Sequence, residues 1–324
     1  MLAYLIRRVV QSVLVLLFTG LIAFSLFRFV GDPVENMLGQ ERTLADVTEL
    51  RERLHLDDPF VEQYARFLLG AVQGEFGISF RQGRPVSDLL AERAPATLEL
   101  AFVSGLFALG LGIGLGVFTA IHRGGWVSST IMTTSLIGVS LPTFLIGILL
   151  INTLGIETAL PVKGRGETVD LGWWSTGFLT GSGLMALILP SITLGLYQMT
   201  LIMRLVRSEM LEVLRQDYVR FARARGLPDN TVHYRHALKN TMLPVITVTG
   251  LQLGSIIAFA IITETVFQWP GVGLLFINAI QSVDIPVMAA YLMLISVMFV
   301  AINLVVDIIY VAIDPRLRVD RTAA

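Results

Sequence analysis

Six stretches of this chain stay apolar over about 20 residues, the length a helix needs to cross a bilayer. They run 9–30, 98–121, 129–151, 184–206, 243–266 and 287–313. Lipid offers no partner for backbone N–H and C=O groups, so runs of this length are helices. The expected fold class is therefore all-α integral membrane, with six transmembrane helices. A hydrophobic share of 54%, a charged share of 15% and a mean hydropathy of +0.71 agree with that class and make a length-based domain count meaningless. The first run follows Arg7 and Arg8, as a signal peptide would. It is too long for a signal h-region and no A-x-A-like site follows, so it is read as an uncleaved first span.

Charge placement orients the helices. Lys and Arg in short loops mark the cytoplasmic side. His122 and Arg123 follow the second run, an arginine-rich segment at 204–244 follows the fourth, and Arg316, Arg318 and Arg321 stand in the tail. The loop 267–286 has neither Lys nor Arg. Both termini are accordingly expected in the cytoplasm. Tryptophan favours the interface; Trp126 falls at the inner boundary, and Trp173, Trp174 and Trp269 fall in or beside outer loops. Four regions result: a first helix at 1–30, an outer helical loop at 31–97, a core at 98–314, and a tail at 315–324.

The outer loop has helix signals of its own. Thr43 to Asp46 resembles a capping box ahead of Leu44, Val47, Leu50 and Leu54. Asp58 then Pro59 reads as an N-cap with proline at the first helical position, ahead of Phe60, Tyr64 and Phe67 at helical spacing. In the second run, Gly110 and Gly114, and Gly112 and Gly116, form overlapping G-x-x-x-G pairs that admit close approach of another helix. Pro142 and Pro190 are expected to kink their helices.

Several chemistries are excluded. The only lysines, Lys163 and Lys239, follow Val162 and Leu238, so there is no Walker A loop. Zero cysteines remove disulfides and thiolate metal sites, and His55, His122, His233 and His236 form no H-E-x-x-H. No G-x-S-x-G is present. A net charge of −1 gives no field for nucleic acid. The chain is not expected to be an enzyme, to bind a metal or to hold a cofactor. The ionisable groups inside the spans, which default to functional candidates, are Glu99, Glu264 and Asp307. Gln198, Gln252 and Asn303 either line a path or hydrogen-bond between helices.

The charge gathered at 204–244 needs a reason. From Glu209 to Arg225 no breaker occurs, and Met210, Leu214, Tyr218 and Phe221 form a stripe at helical spacing. Glu212 with Arg215 and Asp217 with Arg220 supply i, i+3 ion pairs. Gly226 followed by Leu227 and Pro228 ends the helix, and a second helix starts after Asn230 and leads through His236 and Lys239 to Pro244. Such a knob suits a groove on another protein; its arginines suit anionic lipid equally well.

The order of residues resolves this toward protein. Asp217-Tyr-Val-Arg-Phe-Ala-Arg-Ala-Arg-Gly226, then His236-Ala-Leu-Lys-Asn240, resembles the EAA cytoplasmic loop of ABC importer permeases, in particular the dipeptide and oligopeptide branch. Leu56-Asp-Asp-Pro59, Gly74-Glu-Phe-Gly77, Pro95-Ala-Thr-Leu-Glu-Leu100, Glu264 to Gly273 with Pro270 and Gly271, Asp284-Ile-Pro286 and Asp314-Pro315-Arg316 are similar to that branch along nearly the whole chain. Two residues depart from the general motif, Arg220 and Phe221 standing where it has Glu and Ala, and proline comes at 244 rather than directly after Leu238.

The resemblance implies a type I ABC importer permease fold. It implies a coupling helix formed by Asp217, Tyr218, Arg220, Phe221, Ala222, Arg223, Ala224, Arg225 and Gly226 with Met210, seated in an ATPase subunit. It also implies a path or gate drawn from Gln198, Gln252, Glu264, Pro270, Gly271, Asn303 and Asp307. The implied partners are a second homologous permease subunit, two ABC ATPase subunits carrying ATP and Mg, a solute-binding protein outside the membrane, and the lipid of a bacterial inner membrane. The rival classes are an ATP-independent transporter or channel, and a membrane scaffold that only recruits a cytoplasmic protein.

Overall fold

Four of these apolar runs lie in unbroken helices and two are bent. The computed structural model describes residues 2–29, 48, 57–158 and 160–313. The Thr43 to Leu54 segment, apart from residue 48, and the basic tail lie outside them. Among the described residues four helices are long and apolar enough to span: α1 (Leu2–Phe29), then, after the short α2 (Phe60–Gln73), α3 (Val86–Ile121), and later α6 (Gly181–Val213) and α10 (Ile285–Ile313). The other two runs are broken. One consists of α4 (Trp126–Ser140) and α5 (Thr143–Leu150), which continues into a π-helical turn at Ile151–Gly155. The axis bends there by 111°. The other is α8 (Leu238–Val266), bent by 45° between Pro244–Gly250 and Gly254–Val266. Between α6 and α8 lies the short α7 (Asp217–Ala224), and between α8 and α10 the apolar α9 (Val272–Gln281).

Pro142 breaks its run because a residue before proline is driven from the helical region to the extended one. Leu141 accordingly sits at φ −90°, ψ 138°. Pro190, expected to kink, lies inside the continuous α6, and Pro95 and Pro244 lie inside α3 and α8. Helix α3 begins at Val86, twelve residues before the apolar run.

The chain divides into two compact units. In the first, formed by residues 1–97, 172–175 and 270–300, α2 lies on α1. The rings of Phe60, Tyr64 and Phe67 meet Phe24 at 5.2, 5.8 and 5.8 Å, and the Tyr64 hydroxyl donates to the Leu17 carbonyl at 2.6 Å. The aromatic spacing read from the sequence is the contact face. Its cap differs from expectation: Pro59 is the N-cap residue and makes no side-chain cap. Asp58 lies one position too early to cap, and its carboxylate pairs with Arg66 at 2.8 Å instead.

In the second unit, α6 packs against the rest over most of its length, and 16 of its residues are buried. Of the two G-x-x-x-G registers on α3, one is used. A Cβ on Gly112 or Gly116 would come within 3.0 Å of Ile202, Met199, Val206 or Met203, whereas Gly110 and Gly114 have nothing within 4 Å. Trp269, in the turn after α8, is packed inside the protein at 0% exposure. Gln268 takes φ +47°, and Trp269 N donates to the Glu264 carbonyl at 2.8 Å, so the chain doubles back and carries the indole inside.

Candidate functional site: the arginine-rich segment and the polar groups of the spans

The continuous helix expected from Glu209 to Arg225 is in fact two. After Val213, the amides of Leu214, Arg215 and Gln216 donate to Met210, Glu212 and Val213, closing tight turns that end α6. Helix α7 then restarts at Asp217, whose carboxylate in the first turn complements the helix dipole. This break rotates the stripe apart. Met210 is fully buried, packed in the core with Val206, Ile202 and Ala237, so it is not part of an exposed docking face. Within α7 the inward residues are Val219 and Ala222, which pack with Val232, Val213 and Leu214. Tyr218 and Phe221, two of the residues read as the apolar stripe, point outward, at 41% and 63% exposure.

Polar contacts fix this outward face. Asn240 Nδ2 donates to the Tyr218 hydroxyl at 2.7 Å. Asp217 pairs with Arg220 at 3.5 Å, while Glu212 and Arg215 make no ion pair among the described residues. The Arg225 guanidinium lies 5.6 Å from the Phe221 ring centroid. Arg223 reaches Asp229 at 3.8 Å, and its Nη2 lies 3.4 Å from His233 Nε2. Since arginine can only donate, that nitrogen accepts, and His233 is neutral in this arrangement. Burial is the largest cause holding its pKa below the ordinary 6.5; Asp229 opposes the shift and Arg223 adds to it.

Gly226 ends α7 at φ +76°. Its amide donates to the Arg223 carbonyl at 2.9 Å and that of Leu227 to Ala222 at 3.3 Å, the paired bonds of a Schellman cap. Arg220, Arg223, Ala224, Arg225 and Gly226 are all exposed. The second helix begins as a π-helical segment, Thr231–Ala237, and runs without a stop into α8 past Pro244.

The polar residues of the spans fall into separate places. Gln198 Nε2 donates to Ser255 Oγ at 2.7 Å, and Ser255 donates to the Gln252 carbonyl at 2.6 Å, so Gln198 of α6 and Gln252 of α8 belong to one interhelical network. Glu264 is 0% exposed in the last turn of α8. Asn303 and Asp307 are half-buried on α10. Gly271 is the N-cap residue of α9, and Pro270 precedes it.

Two buried carboxylate sites were not assembled from the sequence. Glu99 accepts from Arg165 at 2.6 Å with side chains 1% and 6% exposed, and from Gly177 N at 3.3 Å. The signal was the Gly-Arg-Gly at 164–166, whose glycines take φ +76° and +70° to turn the arginine inward. In the other unit, Asp284 is 2% exposed and accepts from Ser79 Oγ and from the amides of Phe80 and Arg81 at 3.1 and 3.3 Å. It ties the outer turn at 77–85 to the start of α10. The preceding Val283 holds φ +54°, a strained value for a β-branched residue.

This geometry defines a multi-pass membrane subunit with an exposed, capped helix presented on a basic loop. The chain belongs to the family of binding-protein-dependent transport system inner membrane components, whose model matches residues 112–319, with the corresponding N-terminal model matching 1–101. Members are non-catalytic permease subunits of ABC importers, which work with ATPase and binding-protein partners. Over 98% of its length the chain is 36% identical to a dipeptide transport system permease protein, DppB, of Alkalihalophilus pseudofirmus, covering all of that protein. It is 40% identical over 99% to a di/tripeptide permease of Pseudomonas aeruginosa, also covered completely. A glutathione transport system permease, GsiC, of Escherichia coli strain K12 is 35% identical over 98% of this chain and 99% of its own. Among solved structures, an inward-facing methionine ABC transporter, MetNI, shares the fold with a TM-score of 0.55 at 18% identity. That match covers 70% of this chain and 96% of the other.

Proposed function

We propose that this subunit imports di- or oligopeptides, or a small peptide-like solute such as glutathione, as one of two non-identical permease chains. Two ATPase subunits bind ATP and Mg and drive it, a binding protein delivers the solute from outside, and both termini face the cytoplasm. The substrate reading rests on the full-length relatives named for dipeptides, di/tripeptides and glutathione.

The coupling role rests on one observation, the two-faced α7. Its inner residues, Val219 and Ala222, are anchored on the core, while Tyr218, Arg220, Phe221 and Arg225 are held outward by their own contacts and a glycine cap. An exposed aromatic set among arginines has the composition of an interface hot spot. Movement of an ATPase groove would pass through Val219 and Ala222 to the ends of α6 and α8. Glu264, Pro270 and Gly271 serve the outer gate, and Asn303 and Asp307 the inner part of the path.

Copurification with the ATPase subunits tests this. Phe221→Ala should cost about 2 kcal/mol or more of association, as hot-spot truncations do, and Gly226→Val should lower both assembly and solute-stimulated ATP hydrolysis because valine resists a left-handed turn. Wild-type assembly and turnover in both variants would sink the coupling role.

A further inference from the structure

The break in the third span leaves a cavity of about 520 Å³ at its corner, lined by Ser140, Thr143, Phe144, Tyr197, Gln198 and Phe259 among others. That size lies within the roughly 300–1,000 Å³ of small-molecule sites. Ser140 is 14 residues along α4 from Trp126, or about 21 Å at the helical rise. With Trp126 taken at the interface and α4 along the membrane normal, the corner lies inside a hydrocarbon layer of about 30 Å. Irregular backbone is tolerated at such depth where it lines a cavity. The cavity is open on one side, where Phe144 and Phe259 are about half exposed.

Its polar groups are few and specific. The Gln198 side chain is 3% exposed and its Nε2 is spent on Ser255, but its Oε1 has no hydrogen-bond partner. A buried acceptor left unpaired costs about 1–3 kcal/mol, which a visiting donor would recover. The same cavity meets the N-terminus of α5 at Thr143 and Phe144, whose amides have no acceptor within that helix and lie at its positive end. The remaining lining is aromatic and aliphatic. A ligand suited to all of this carries an N–H, a carbonyl or carboxylate close to it, and small apolar groups between. Acyl chains have no donor to offer Gln198.

We propose that this cavity is a transit site for the peptide backbone of the carried solute. Gln198 Oε1 accepts from its amide or ammonium N–H, and the N-terminus of α5 faces its carbonyl or carboxylate. The inference rests on the peptide reading given above. With one unpaired acceptor and one helix end, the site holds weakly enough to release.

The chain has no cysteine, so Thr143→Cys gives this subunit a single thiol at the cavity. The complete transporter, with its partner permease, ATPases and binding protein, is reconstituted in proteoliposomes. It is labelled with a hydrophilic maleimide during ATP turnover, with and without Ala-Ala, and labelling of this chain is read by mass. Ala-Ala should slow labelling several-fold, and Gln198→Leu, scored per assembled complex, should lower Ala-Ala uptake about tenfold, the loss of one hydrogen bond. Ser140→Cys reports on the same cavity if Thr143→Cys does not assemble. Unchanged labelling alongside normal wild-type uptake, or wild-type uptake by Gln198→Leu, overturns the transit site alone. Failure of the wild-type transporter to take up Ala-Ala or a tripeptide sinks the peptide reading and this inference with it.

Discussion

Gly116 has space for a hydrogen and nothing larger. A Cβ there would stand 2.7 Å from the Val206 Cβ and 2.8 Å from the Met203 carbonyl, a contact that can be relieved only by moving α6 away from α3. Overpacking of this kind costs about 1–3 kcal/mol. Gly116→Ala should therefore lower the thermal unfolding midpoint of the detergent-purified protein. Gly114→Ala, with nothing within 4 Å of its Cβ, should leave the midpoint unchanged or slightly raised, through helix propensity. Equal shifts in the two variants would remove the close packing from the account. The sequence showed both glycine registers but not which one meets a partner, because that depends on how α3 is rotated against α6, and a helix that is apolar all round carries no such information. Asp284 was legible in the same limited way. Its place in a motif was visible, yet its partners are a hydroxyl and two amides more than 200 positions away in sequence, and no local spacing encodes them.

At the scale of the element, the arginine-rich segment is two helices rather than one, which leaves Tyr218 and Phe221 outward and takes Met210 into the core. Periodicity found residues at helical spacing, but the turn at Leu214–Gln216 shifts the phase, so Val219 and Ala222 face inward and Tyr218 and Phe221 outward. No glycine or proline marks that turn. It is held by backbone bonds and by the packing of Val213 and Leu214, which is a tertiary cause. The glycine cap, by contrast, was fully legible, since only glycine sits comfortably at φ +76°. The segment also carries a pH dependence. Because His233 has a folded pKa held below 6.5, chiefly by burial, the unfolded chain binds the proton more readily. The stabilisation is thus complete above 6.5 and is lost as the pH falls from there through the lower folded value. Protonation also removes the acceptor for Arg223. Amide hydrogen exchange across 217–237, corrected for its intrinsic pH dependence, should show protection falling between pH 7.5 and 5.5, flattened in His233→Gln. Equal pH dependence in the two proteins would assign the effect to another group.

For the whole molecule, six spans followed from length and hydropathy, and among the described residues the structure has four unbroken helices of spanning length and six spans if each of the two bent pairs is one. What hydropathy could not separate was which prolines bend. Pro142 breaks its run at 111° while Pro190 does not interrupt α6, because the outcome turns on whether neighbouring helices hold the preceding residue helical. Hydropathy likewise could not divide a long helix into its membrane and extramembrane parts, hence the early start of α3 at Val86. The energetic logic of the molecule follows from its family, whose members are non-catalytic permease subunits of ABC importers that work with ATPase partners. Reconstituted with its partner permease and the binding protein but without ATPase subunits, the chain should give no ATP-dependent uptake of Ala-Ala. Adding the ATPase subunits with Mg-ATP should produce it, and a Walker A lysine substitution in those subunits should abolish it. Uptake driven instead by a proton or sodium gradient in liposomes lacking the ATPase would place the work in this chain and return the ATP-independent transporter as the better account.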